Sequence, residues 1–333
     1  MKKSSTTMSA EMKAIEYLQY GEAAVLQLNE VAKPSPKSKE VLIRNHASTV
    51  TAADIMMRNG KPLIGRLYLG LNKPSRTILG FEFAGEVVEV GTEVTLFKPG
   101  DKVFGGTTTL GCYAEYVCVS EHDVITTMPS NISYQEAAPV SGSAITVLNF
   151  LKGLANIQAN QQVLINGASG ALGTYAVQIA KHYGAIVTGV CSTSNVEMVK
   201  ALGADQVIDY TQEDFTKNGV QYDIIFDTVG KRNFGECKNS LSQNGIYLSS
   251  VIDFSLLMHM IWTSIFGSKK ARSSSTGMLP VRERLAYFLE IKELLMLGKI
   301  KTVIDQHFPL SQLAAAHQYV EKGHKKGNLV ITV

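Results

Sequence analysis

Short apolar runs broken by Gly, Pro, Asn and Asp mark the chain from Met12 to about Ser130. Examples are Glu40-Val41-Leu42-Ile43-Arg44, Gly85-Glu86-Val87-Val88-Glu89-Val90-Gly91 and Tyr113-Ala114-Glu115-Tyr116-Val117-Cys118-Val119. Such runs, bounded by turn formers, predict a strand-rich domain. Beyond Tyr134 the rhythm changes to apolar strands alternating with stretches of helical period, the pattern of βαβ units around a parallel sheet. The boundary falls near residue 132.

Within the second half, Gln162-Val163-Leu164-Ile165-Asn166 predicts a strand. A helix follows from about Gly170 to Tyr183, closed by Gly184 in a left-handed cap. Ile186 to Val190 predicts the second strand, and Ser194 with Glu197 three residues later predicts a capped helix. Further strands are expected near Gln206–Asp209, Tyr222–Asp227 and Gly245–Ser250, and this alternation makes a doubly wound sheet. The basic, serine-rich stretch Lys269 to Met278 predicts a loop or short edge strand. A periodic helix then runs from about Val281 to Leu297, with Gly298 behind it. The last helix, near Ser311 to Glu321, leads through Gly323-His324-Lys325-Lys326-Gly327 into a strand from Leu329 to Val333, a tail assigned back to the first domain.

A chain of 333 residues exceeds what one core usually fills, in keeping with two domains. A net charge of +3, spread along the chain, gives no reason to expect a nucleic-acid partner. Cys112, Cys118, Cys191 and Cys237 form no C-x-x-C pair and read as free thiols. The polar head from Met1 to Glu11 lacks the apolar stretch of a secretory signal, so a cytoplasmic protein is expected. Val251 to Phe266 is strongly apolar but contains Asp253 and His259 and is too short to span a bilayer, so no membrane span is expected. It reads as a buried or partner-facing helix.

The chemistry concentrates between the first strand and the helix after it. Asn166 leads into Gly167-Ala168-Ser169-Gly170-Ala171-Leu172-Gly173, where Gly170 and Gly173 take the second and third glycine places of G-x-G-x-x-G and Ala168 the first. A missing side chain at Gly170 would let the backbone approach a pyrophosphate, and Gly173 would let the helix pack close to the sheet. The free N–H groups of the helix start would then face the phosphate charge. At the end of the second strand stand Cys191, Ser192, Thr193, Ser194 and Asn195, without a carboxylate to bind a ribose 2′-hydroxyl or repel a 2′-phosphate. Ser192, Thr193 and Asn195 could donate to that phosphate, each charged hydrogen bond being worth about 1.5–3 kcal/mol. NADPH is therefore the expected cofactor, with NADH also open; the same residues could simply cap the next helix.

With these residues in place the chain resembles the medium-chain dehydrogenase/reductase superfamily, in its zinc-free quinone oxidoreductase branch, over nearly its whole length. The resemblance rests on Lys13-Ala14, Gly21, Gly80-Phe81-Glu82-Phe83-Ala84-Gly85 with Val90-Gly91, and Phe97-Lys98-Pro99-Gly100-Asp101-Lys102-Val103. It continues through Gly111 to Tyr116, the glycine turn, Leu202-Gly203-Ala204-Asp205, Phe226-Asp227-Thr228-Val229-Gly230 and Gly323 to Gly327. It implies an α/β fold: a GroES-like β-rich catalytic domain (1–131 and 281–333) interrupted by a Rossmann doubly wound parallel sheet (132–280).

Further expectations follow from the resemblance. Thr146 would touch the nicotinamide amide, Tyr210 would lie by the adenosine, and Thr228, Val229, Gly230 and Ser250 would line the groove. Phe81 stands where the metal-dependent branch carries His, and Thr51 where it carries Cys, so no zinc is expected. Thr51 is either a hydroxyl that polarises the substrate or a turn residue before a helix. The segment with Met56, Met57, Leu67, Tyr68 and Leu69 often forms a substrate wall, and Asp54, Glu82, Tyr113, Glu115 and Tyr116 read as structural. Asn195 and Asn328 depart from the Lys or Arg of many NADP-dependent relatives, and the seven histidines show no metal-like spacing. Hydride transfer from NADPH to a quinone or an activated alkene in the cleft between the domains, with a proton from solvent, is the expected reaction, on a small apolar conjugated substrate and in a homodimer. An enoyl-thioester reductase and a non-catalytic NADPH-binding sensor or structural protein are the alternatives.

Overall fold

The computed structural model describes residues 10–323 and 325–333. Most of the polar N-terminal head and His324 lie outside the described residues. The chain forms two compact units: Met1–Pro139 with Gln306–His324 and Leu329–Val333, and Val140–Asp305 with Lys325–Asn328.

In the first unit β1 (Glu11–Glu16) pairs antiparallel with β2 (Gln27–Ala32). The strands β3 (Glu40–Thr49), β4 (Glu82–Val90), β5 (Lys102–Gly106), β6 (Tyr116–Ser120) and β7 (Val124–Thr127) follow. Alternation along them turns Val41, Ile43, Phe83, Val87, Val103 and Val117 into a common apolar layer. A second core, with Tyr17, Leu79, Tyr113, Leu313, Ala316 and Ile331, lies under the helix Leu313–Glu321. The short helix Ala52–Asn59 starts from a Thr51–Asp54 capping box and stops at Gly60, whose φ of 60° suits the left-handed cap.

The second unit is built on β8 (Gln162–Asn166), β9 (Ile186–Cys191), β10 (Gln206–Asp209), β11 (Tyr222–Asp227), β12 (Leu241–Ser249) and β13 (Lys270–Arg272), all parallel, in the order β10-β9-β8-β11-β12-β13. This is the Rossmann order, and it explains why Val163-Leu164-Ile165 and Ile224-Ile225-Phe226 are unbroken apolar runs: both faces of the central strands are fully buried. Near the C-terminus β14 (Ile304–Pro309) and β15 (Asn328–Thr332) extend the antiparallel sheet, in the order β14-β15-β3-β4-β5-β7 with β6 beside β3.

Two expectations need correction. The helix Val281–Met296 falls in the second unit, not the first, because Phe288, Ile291, Leu294 and Leu295 bury against the neighbouring helical segment 140–148. No capping box forms at Ser194, because Thr193–Asn195 tighten into a 3₁₀ turn and the helix starts only at Val196. Of the two readings of the apolar helix Phe254–Ile265, buried or partner-facing, its exposure fits the second, since only Leu256 and Thr263 are inside. Among the described residues no helix is long and apolar enough to cross a membrane.

Candidate functional site

The five strands from β8 to β12 run the same way, so Asn166, Cys191, Asp209, Asp227 and Ser249 end on one edge of the sheet. The strand order reverses between β8 and β11, which is where open parallel sheets leave a crevice. The loops leaving these two strands lie side by side. A Cβ added to Gly167 would sit 2.3 Å from Val229 Cγ2 and 2.6 Å from Thr228 Oγ1, and the Thr228 hydroxyl donates to the Asn166 carbonyl at 2.8 Å.

Asp227 ties the two loops together. Its buried carboxylate accepts from the Asn166 amide and from the backbone N–H of Val229 and Gly230, each at 3.0 Å. The N–H of Arg232 at 3.1 Å and the Tyr247 hydroxyl at 3.2 Å complete its partners. Sequence reasoning did not single Asp227 out as a site residue; the available signal was a carboxylate closing the apolar run Ile224-Ile225-Phe226. Ser250 follows, its N–H donating to the Asp227 carbonyl at 3.1 Å.

The glycine turn itself is shaped by contacts no other residue permits. Gly167 has a φ of 82°. A Cβ on Gly173 would lie 2.0 Å from the Gly167 carbonyl oxygen, so only glycine lets the helix seat against the turn; one on Gly170 would meet nothing nearer than that oxygen at 3.5 Å. Ala168 is fully buried and faces Gly189 of β9, leaving no room for more than a methyl group there. No side chain caps the helix Ala171–His182, so the N–H groups of Ala171, Leu172 and Gly173 carry the positive end of its dipole into the space that Gly170 leaves clear. This cradle can hold a diphosphate. The structure adds a segment that the sequence reading had given to the first domain: Gly327 donates its N–H to the Ser169 carbonyl at 2.8 Å, which brings Lys325 and Lys326 to the turn.

Beyond β9, the Asn195 amide donates to the hydroxyls of Ser169 and Ser192, both at 3.1 Å, and its buried Oδ1 has no partner. Asn195 therefore joins the glycine turn to the hydroxyl cluster. The Thr193 hydroxyl is already spent, donating to Asp209 at 2.5 Å, and Thr211 donates to the same carboxylate at 2.8 Å. These hydrogen bonds, Thr193's first, hold the Asp209 carboxyl below the ordinary range. The sequence reading found no carboxylate at this end because it looked only along 191–195. The parallel register of β10 on β9 sets Asp209 beside Cys191 and supplies one. Tyr210 is more than half exposed, its N–H donating to the Cys191 carbonyl at 3.0 Å. Thr146 is half-buried on the short helix Ile145–Leu148, which packs on the helix Ala171–His182.

Thr51 belongs to the first unit. Its hydroxyl donates to Asp54 Oδ2 at 2.6 Å, and its backbone N–H reaches the same oxygen at 2.9 Å. Burial raises the Asp54 carboxyl to about 6. The Tyr113 hydroxyl donates to the Thr49 carbonyl at 2.9 Å, and Thr49 donates to Glu82. Of the residues read as a substrate wall, Met56, Leu67 and Tyr68 are exposed, whereas Leu69 and part of Met57 sit in the core.

Residues 37–130 match the alcohol dehydrogenase GroES-like domain family and residues 202–331 the zinc-binding dehydrogenase family. A quinone-oxidoreductase homolog, chloroplastic, from Spinacia oleracea is 32% identical over 334 residues, covering 96% of this chain and 98% of that protein. A 2-methylene-furan-3-one reductase from Solanum lycopersicum is 32% identical over 340 residues, covering 98% and 80%. The chain belongs to the medium-chain dehydrogenase/reductase superfamily, in its quinone oxidoreductase-like branch. The crystal structure of an Escherichia coli quinone oxidoreductase complexed with NADPH superposes with a TM-score of 0.83 at 27% identity, covering 96% of this chain and all of that one.

Of the two positions expected to distinguish this chain from a metal-dependent relative, Thr51 caps a helix and Phe81 is a half-buried ring packed on the core around Tyr17 and Tyr113. Neither offers a soft or basic donor. Among the described residues no three His, Cys, Asp or Glu side chains converge as a metal-binding group.

Proposed function

We propose that this superfamily member is a zinc-independent oxidoreductase that delivers hydride from NADPH to a quinone or a conjugated alkene or carbonyl. The observation that carries the reading is the uncapped start of the helix Ala171–His182 behind Gly170, where a Cβ would fill the approach and its absence leaves room for a diphosphate. When bound, the nicotinamide supplies the hydride. Asn166, Gly167, Ala168, Ser169 and Gly170 shape the turn, while the N–H groups of Ala171, Leu172 and Gly173 face the diphosphate. Thr228, Val229, Gly230 and Ser250 border the groove, Tyr210 offers its ring to the adenine, and Thr146 lies toward the nicotinamide. Ser192, Thr193 and Asn195 surround the ribose end. There NADPH is preferred on the strength of the Ser192 hydroxyl and Asn195, with Asp209 opposing it.

The names of the relatives agree with this assignment: a quinone-oxidoreductase homolog, a 2-methylene-furan-3-one reductase, and a quinone oxidoreductase crystallised with NADPH. Independence from zinc is supported by the donor set at Thr51 and Phe81. A conjugated acceptor suits such a site, because its negative charge is delocalised and needs no Lewis acid. We further assign the protein to the cytoplasm, where its four free cysteines suit a reducing compartment, and to a homodimer formed along the open edge at β13.

The test is turnover of NADPH and NADH against quinones, enones, aldehydes and an enoyl thioester, with metal analysis of the same preparation. The reading requires turnover with quinones or enones that survives chelation. Tight nucleotide binding without turnover on any acceptor would replace it with a binding role.

A further inference from the structure

The helix Phe254–Ile265 has two apolar faces. One, carrying Leu256, Met260 and Thr263, packs onto the core around Phe234 and Tyr247. The other carries Phe254, Leu257, Met258, Ile261, Trp262 and Ile265 at the i, i+3, i+4, i+7 spacing of a helix stripe, and all six are exposed, from 43% at Leu257 to 76% at Phe254. Phe266 extends the stripe, with its ring 4.7 Å from that of Trp262. An apolar face of this extent is not left to water without a reason.

We infer that this outward stripe docks on the surface of an anionic lipid bilayer. The charges around it point that way. Between residues 251 and 272 the only acid is Asp253, and its carboxylate is committed to the Leu256 N–H at 2.7 Å. Lys269 and Lys270 follow the helix, their ammonium groups donating to the Lys238 and Thr263 carbonyls, while Arg272 turns to the Leu154 carbonyl on the other side of the sheet. Among the described residues neither lysine is ion-paired. Apposition of this face with a second copy would set two lysines against two, whereas anionic headgroups neutralise them. Trp262, Phe254 and Phe266 are the side chains that favour the headgroup boundary, and at twelve residues, about 18 Å, the helix is suited to lie in that boundary and not to cross it. Pairing along β13 would leave the stripe free, since the stripe is on the side of the helix turned away from the sheet. The inference rests on this helix alone and holds whatever the acceptor is.

Trp262 is the only tryptophan of the chain, so its emission reports the site directly. The full chain is titrated with phosphatidylcholine vesicles, with and without about one-third phosphatidylglycerol, and then sedimented with them. The expected result is a blue shift and co-sedimentation with the anionic vesicles, at least about tenfold weaker with phosphatidylcholine alone and weakened by salt. The double substitution Ile261→Ser and Ile265→Ser should reduce vesicle binding by at least about tenfold with an unchanged melting temperature. Absence of both a shift and co-sedimentation in the wild type would overturn the inference. So would an emission already blue-shifted without lipid and dependent on protein concentration, which would assign the face to a second copy.

Discussion

The carbonyl oxygen of Gly167 stands where a Cβ on Gly173 would come within 2.0 Å of it, while the same oxygen is 3.5 Å from a Cβ on Gly170. One glycine is thus required for folding and the other only for access. Gly173→Ala should cost about 1–3 kcal/mol or more, because backbone must move to accept it. Gly170→Ala should leave the urea midpoint unchanged, since its φ of −82° and ψ of 179° suit alanine, yet weaken nucleotide binding at least about tenfold. Equal losses of stability in the two variants would show that Gly170 is structural as well.

Asp209, held by Thr193 and Thr211, places negative charge beside the hydroxyls expected to meet a 2′-phosphate. Asp209→Asn should raise the affinity for NADPH relative to NADH by roughly three- to tenfold, a modest factor because the carboxylate is solvent-screened. An unchanged ratio in paired titrations would put the adenosine ribose elsewhere.

Thr51 spends its hydroxyl proton on Asp54. Thr51→Val should therefore act through the helix Ala52–Asn59, costing about 1 kcal/mol of stability as loss of an N-cap does, with quinone turnover kept within about a factor of two. A folded variant that had lost turnover a hundredfold would return Thr51 to the chemistry.

His317 is buried in the first unit with neither ring nitrogen partnered, edge-on to Tyr113, and burial together with the Arg58 cation lowers it to about 3. Its folded value lies below the unfolded one, so the stability tied to its neutral form is present above about 6.5 and lost as pH falls toward 3. Asp54, raised to about 6, works the other way: its contribution is full below about 3.8 and lost as pH rises through 6. His317→Phe keeps the ring and removes the first of these. Its stability relative to wild type should rise by about 2 kcal/mol between pH 7 and pH 5, measured by urea midpoints. A constant difference across that range would mean that His317 does not titrate with folding.

What could be read from the sequence followed how local the cause was. The turn Gly167 to Gly173, the left-handed Gly184 and the five-strand alternation are set by neighbours in sequence, and each stands where the pattern put it. Asp209 and Asp227 escaped notice because their roles arise from parallel registers that bring strand ends together across 16 and 61 residues. The same holds for Gly327, which reaches Ser169 from the far end of the chain. The helix Phe254–Ile265 left burial and partner contact both open, because a pattern apolar on two faces does not say which face meets the core.

The central claim is that amide groups at the start of one helix grip a dinucleotide's diphosphate. Calorimetric titration of wild type and Gly170→Ala with NADPH and NADH tests it most directly. The account predicts saturable one-site binding by the wild type and at least about tenfold weaker binding by the equally stable variant. Folded wild-type protein that bound neither nucleotide, or a variant that bound as well as the wild type, would contradict it.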